Sequence, residues 1–173
     1  RGVTDTLVDG PNKLYFSHYR QLNYLLDRAE TRIAQWLELR GAVAVPIPAS
    51  QTIDWDTQEA HFSHRHAAVA AGLAFWGRNN LAISQKFGAH QRWGSILTDM
   101  ALIPGEPIDI DCGSCRACID MCPADAIGET REDWNSEKCF AKLKEFKKRG
   151  IGHYICGMCI KPCHGKLKTN EKK

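Results

Sequence analysis

Apolar residues recur at spacings of three and four along residues 15–39. Leu22, Leu25, Leu26, Ala29, Ile33, Trp36 and Leu37 fall on one stripe, the signature of an amphipathic helix, with Gly41 as its stop. The lead-in, 1–13, has no period and ends in the turn Asp9-Gly10-Pro11-Asn12. Residues 42–45 form a short apolar run closed by Pro46 and Pro48, which predicts a strand. The polar stretch 49–65 is aperiodic, 66–72 favours helix, and Gly77-Arg78-Asn79-Asn80 reads as a turn. Residues 81–84 and 95–102 read as short strands, so helices and strands mix in an α/β (or α+β) core.

At Ile103-Pro104-Gly105-Glu106-Pro107 the character changes, because all eight cysteines lie beyond it. The expected organisation is a cysteine-free core, 1–104, followed by a small cysteine-bearing module, 105–173. Within the module Ser136 can cap a helix over 137–149, with Phe140, Leu143 and Phe146 inward and Gly150 ending it.

Composition changes this picture little. The 173 residues are 43% hydrophobic and 25% charged, which excludes wholesale disorder. A net charge of +3 singles out no partner; the basic runs 142–149 and 166–173 read as solvated faces, the first of them able to dock a redox partner. No apolar run approaches the ~20 residues that span a bilayer, and no signal-peptide pattern opens the chain, so a cytoplasmic protein is expected. The first residue is Arg1 rather than Met, which leaves room for an upstream segment.

The strongest chemical signal is Cys112, Cys115, Cys118, Cys122 and Pro123, the C-x2-C-x2-C-x3-C-P run of bacterial ferredoxins. Three thiolates spaced by two residues wrap three corners of a cubane, and the fourth points to a different cluster. A related C-x2-C-x3-C motif follows at Cys156, Cys159 and Cys163, with Cys139 alone between the two. The crossover rule then groups Cys112, Cys115 and Cys118 with Cys163, and Cys122 with Cys139, Cys156 and Cys159. Two 4Fe-4S clusters use all eight cysteines. Zinc prefers separated doublets, and disulfides need an oxidising compartment that nothing in the sequence indicates.

The segments 68–81 (AVAAGLAFWGRNNL), 94–100 (GSILTDM) and 133–140 (DWNSEKCF), with the cysteine motifs, resemble the epoxyqueuosine reductase family, related to the cobalamin- and cluster-dependent reductive dehalogenases. The resemblance implies a cobalamin-binding core and a bacterial-ferredoxin-like double-cluster module that passes single electrons to the corrinoid. It implies that Asn79, Ala82 and Trp93 line the corrinoid, with Ala141 and the pair Cys156-Gly157 approaching from the cluster side. Ferredoxin or flavodoxin would be the electron donor, and tRNA enters as the family's substrate. The family's acid aspartate falls on Gln58, so proton donation passes to His61, His64, His66, Asp54 or Asp56. The alternative is a non-catalytic electron-transfer protein that reduces a partner enzyme or corrinoid protein.

Overall fold

The computed structural model describes residues 2–54 and 57–165, so Asp56 and the basic tail 166–173 lie outside the described residues. A short helix α1 (Gly2–Asp5) leads into the long α2 (Lys13–Glu38). Asn12 starts α2: its side-chain oxygen accepts the Tyr15 N–H at 2.8 Å, satisfying one of the orphan donors of the first turn. Its amide reaches back to the Thr6 carbonyl at 3.0 Å, which fixes the angle between the two helices.

The helix is where expected, but its buried face is not the whole apolar stripe. Tyr15, Glu30, Ala34 and Leu37 are buried, whereas Leu25, Ile33 and Trp36 are 63%, 50% and 49% exposed. Periodicity establishes that a helix has an apolar face; the strands decide which part of it they cover. Here they dock where Ala34 is small, making a cluster of Ala34, Leu37 and Ala44 with Ile96 and Met100 at its margin.

Strand β1 (Ala44–Ile47) pairs antiparallel with a later strand, Ser95–Thr98, in register Ala44↔Thr98 to Ile47↔Ser95. β1 therefore begins later than expected and includes Pro46. A strand with one partner keeps a free side on which a residue lacking N–H is tolerated. Next comes α3 (His64–Ala70), capped by Ser63 and begun two residues before the expected 66. A tight hairpin of β2 (Phe75–Trp76) and β3 (Ala82–Ile83) follows, and β4 is the Ser95–Thr98 strand. The hairpin turn at 77–80 is as expected and places Asn80 at φ +55. β2 had no sequence signal, since two residues are too few to alternate.

Residues 100–111 carry no regular element but lie close on the core. A Cβ on Gly72 would stand 2.0 Å from the Glu106 carbonyl oxygen, and one on Gly105 2.2 Å from that of Ala71. α4 (Ala117–Asp120) carries Cys118, and α5 (Ser136–Phe146) carries Cys139. The cap of α5 is Asn135 rather than Ser136, and the helix passes into a π-helical turn, Lys147–Ile151, in place of a simple stop at Gly150. Phe146 is buried as expected.

Candidate cluster and cofactor site

The two cysteine loops are held against the core by different means. Cys112 and Cys163 flank a cluster of Phe75, Ile83 and Ala89, with Ile110 and Ile160 at its edge. Ile155, just before Cys156, and Met158, between Cys156 and Cys159, pack on Leu7 and Tyr15 from the start of the chain. Gly157 is buried at φ +84, and a Cβ there would stand 2.5 Å from the Tyr15 ring. No side chain fits that position, and the left-handed backbone also favours glycine.

The thiols fall into two electrostatic neighbourhoods. Burial pushes the Cys118 thiol up to about 11, and its neighbours Cys112, Cys163 and Cys115 push it the same way. Cys163 is raised by burial and in turn senses Cys112 and Cys115. Burial raises Cys156 to about 11, with Cys139 and Cys122 adding to it. Cys159 is raised first by burial, then by Cys156, Cys139, Cys118 and Cys122; Cys139 is raised by burial, then by Cys122. The first neighbourhood is Cys112, Cys115, Cys118 and Cys163. The second is Cys122, Cys139, Cys156 and Cys159, touching the first through Cys118.

Backbone donors face the sulfurs. The Ala126 N–H donates to the Cys122 sulfur at 3.4 Å, the Met158 N–H lies near enough to Cys156 to favour its thiolate, and the Ala89 N–H donates to the Cys163 carbonyl at 3.0 Å. Rings of Phe140 and Tyr154, 5.3 Å apart, join α5 to the last cysteine segment. Among the described residues, no three His, Cys, Asp or Glu side chains close on a single-ion position.

Arg78, beside the core turn, donates to the carbonyl oxygens of Gly113 at 2.7 Å, of Cys115 and of Glu129. It clamps the first cysteine loop to the core. Composition and spacing gave no signal for this role, because its acceptors are backbone carbonyls distant in sequence.

A cavity of about 500 Å3 opens between the segment after β1, the start of α3 and residues 89–93. Ala82 and Trp93, two of the expected corrinoid residues, line it, and the Trp93 indole donates to the Ala82 carbonyl at 3.3 Å. Asn79 lies buried in the adjoining turn with its Nδ2 lacking a partner. Ala141 is on the exposed side of α5, and Gly157 sits against Tyr15; neither lines the cavity.

His64 and His66 line the cavity, as does Gln58. His64 is fully engaged: Nδ1 meets the Ser95 hydroxyl at 2.9 Å and Nε2 meets the Pro48 carbonyl at 3.0 Å. His66 pairs its Nδ1 with the Ser63 hydroxyl at 2.7 Å and sets its ring edge-on to Trp76. His61 is exposed and its backbone N–H donates to Gln51. Asp54 bridges to Glu59 and accepts the Thr57 N–H at 3.2 Å, away from the cavity lining. In the basic run, Lys142 and Arg149 both pair with Glu145.

No family profile matches the chain. It is 33% identical over 117 residues to the epoxyqueuosine reductase of Bacillus anthracis, an alignment covering 62% of this chain and 30% of that protein. Over 69 residues it is 42% identical to the tetrachloroethene reductive dehalogenase of Desulfitobacterium hafniense, covering 38% of this chain and 12% of that one. A crystal structure of epoxyqueuosine reductase with an epoxyqueuosine-modified tRNA-Tyr stem loop superposes with a TM-score of 0.60 at 23% identity. That match covers 82% of this chain and 38% of the other, and at this identity it speaks for the fold alone. The chain spans less than a third of the length of the curated reductase named above. By sequence it is a relative of the epoxyqueuosine reductases, with reductive dehalogenases among its further relatives, and most of its length shares the mixed helix and sheet fold of epoxyqueuosine reductase structures.

Proposed function

We propose that the chain is the electron-delivering part of an epoxyqueuosine reductase-like oxidoreductase, with two 4Fe-4S clusters and a corrinoid site. The observation that carries this reading is eight free cysteines in motif spacing, with the segments bearing Cys112, Cys156 and Cys163 packed on the rest of the fold. Cys112, Cys115, Cys118 and Cys163 would hold one cluster, and Cys122, Cys139, Cys156 and Cys159 the other, within a ferredoxin-like module of 105–173 on a core of 1–104. The C-x2-C-x2-C-x3-C-P run suits a polynuclear cluster better than zinc, which prefers separated cysteine doublets. The N–H groups of Ala126 and Met158 would stabilise added negative charge on the sulfurs.

When bound, the clusters pass electrons one at a time and the corrinoid supplies the reducing cobalt. Ala82 gives the cofactor a small-residue floor, Trp93 a wall held in place by its indole hydrogen bond, and Asn79 a buried donor in the adjoining turn. A corrinoid with its side chains is larger than a 500 Å3 cavity, so part of it would project from these residues. His64 has both ring nitrogens engaged, with the Ser95 hydroxyl and the Pro48 carbonyl, and is not placed to shuttle a proton. His66, at the rim, is the residue we assign as proton donor in place of the acid. A tRNA substrate is supported by the stem loop on the structural relative, and a cytoplasmic ferredoxin or flavodoxin would suit as donor.

Anaerobic purification tests the reading. The protein should be brown with about eight irons per chain, and Cys163→Ser should lose or convert only one of the two cluster signals in electron paramagnetic resonance. Colourless protein containing two zincs would overturn it. Adding cobalamin should then shift its visible spectrum; an unshifted spectrum favours the alternative of a non-catalytic carrier that reduces a partner protein.

A further inference from the structure

The cavity is lined by two arginines, Arg65 and Arg92, and by no described carboxylate. His64 and His66 line it with them. The ion pairs among the described residues are those of Arg116, Lys142 and Arg149, so neither cavity arginine is neutralised by a carboxylate. Arg65 is half-buried and donates to the Asn80 carbonyl at 2.5 Å. Behind it stands a second cation, Arg131, stacked 3.8 Å over Trp76 and donating to the Asn80 side chain at 3.0 Å.

Arg92 lies over the Tyr19 ring at 4.5 Å and donates from Nη2 to the Ala49 carbonyl at 3.2 Å. Its Nε is buried with no partner. So is the Nε2 of Gln91, another lining residue, whose Oε1 accepts the Ser84 hydroxyl at 2.6 Å. Buried donors are ordinarily satisfied, and half-buried like charges repel; both costs vanish when an acceptor with negative charge enters. Burial lowers the Arg65 pKa, and the charge of Arg131 lowers it further, the direction expected where cations crowd without an anion.

We propose that this cavity binds an oxyanion, a phosphate or carboxylate group, gripped by Arg65 and Arg92 with the Gln91 amide as a third donor. Planar guanidinium groups match the geometry of either group, and the amide supplies a donor that adds no charge. The inference rests on the reading that this cavity is the reaction site, but anion binding is measurable with no reaction taking place. The oxyanion comes either from the substrate or from the phosphate of the corrinoid's nucleotide tail.

The test is calorimetric titration of the anaerobic, cluster-loaded protein with inorganic phosphate and with acetate, ionic strength being balanced with chloride. Saturable binding of at least one anion is expected. Arg65→Gln and Arg92→Gln should each weaken it on the order of tenfold, and Arg65→Lys, which keeps the charge but loses the planar fork, should retain only part of it. Iron content and melting temperature of each variant show that the fold is intact, and either glutamine variant that folds suffices. Absence of saturable binding by both anions, or binding unchanged in the folded glutamine variants, overturns the proposal.

Competition identifies the source. Phosphate that displaces cobalamin but not phosphate-free cobinamide assigns the oxyanion to the cofactor tail. Phosphate that binds alongside both assigns it to the substrate. If neither corrinoid binds while phosphate does, the oxyanion site stands and the corrinoid reading falls.

Discussion

Glu30 is a charged residue buried at the middle of a helix, and its surroundings explain both facts. It is 4% exposed; Oε1 accepts the Ser95 N–H at 3.0 Å, and Oε2 has no partner. A Cβ at Gly94 would stand 2.0 Å from Oε1, so a larger residue there would displace the Glu30 carboxyl. Burial raises the Glu30 pKa above its ordinary 4.5, while the Ser95 N–H and the charge of His64 pull it back. A raised folded pKa favours the neutral acid. Its contribution to stability is therefore complete below the unfolded value and is lost as pH rises through the folded one. Glu30→Gln keeps the acceptor and removes the ionisation. Denaturation midpoints of the variant, followed upward from pH 4.5, should lack the part of the wild-type decline that Glu30 causes. Parallel profiles for the two proteins would refute this account. The same residue joins helix to strand at Ser95, whose hydroxyl meets His64 of the cavity lining.

At the scale of the element, α5 links a helix cap to a thiol. Asn135 accepts the Lys138 N–H at 2.8 Å, and its own N–H donates to the Ala126 carbonyl at 2.8 Å. Ala126 in turn donates to the Cys122 sulfur, so one cap orients Cys139 on the helix and Cys122 on the loop. Asn135→Ala should cost about 1 kcal/mol in urea denaturation. It should also speed chelator removal of iron from the second cluster without affecting the first. Equal loss from both clusters would reduce the cap to a general stabiliser. The sequence made the cysteine motifs legible for a local reason: their members repeat within a few residues, so the spacing shows without knowledge of the fold. The exposed side of α2 was not legible. Leu25, Ile33 and Trp36 have the same period as the buried positions, and only the position of β1 and β4 distinguishes them. Arg78 was not legible either, because its acceptors lie 35, 37 and 51 residues away and belong to the backbone.

Across the whole molecule the start of the chain meets the last cysteine segment. Leu7 is completely buried and packs with Tyr15, Ile155 and Met158, while Lys161 donates to the Leu7 carbonyl at 2.5 Å. Burial, with the nearby Cys159 and Cys156 thiols, pushes the Tyr15 hydroxyl up to about 12, so it stays neutral at the interface. Near the first cysteine set, Gly88 approaches the Cys163 carbonyl so closely that a Cβ would stand 2.2 Å away. The apolar clusters are small; Leu7 is the one large side chain among the described residues with less than 2% exposure. A chain with so thin a core needs staples, and two cysteine-bound clusters would tie residues 112–122 to 139–163. Iron removal should therefore do more than bleach the protein. Anaerobic chelation should lower the melting temperature on the order of 10 °C. Hydrogen-exchange protection should fall first in the Leu7–Tyr15 and Ile155–Met158 segments, which depend on each other for burial. The strand pair Ala44–Ile47 with Ser95–Thr98, packed on α2 away from the cysteines, should keep its protection longer. An unchanged melting temperature would mean that these contacts hold without the metal and that the clusters serve electron transfer alone.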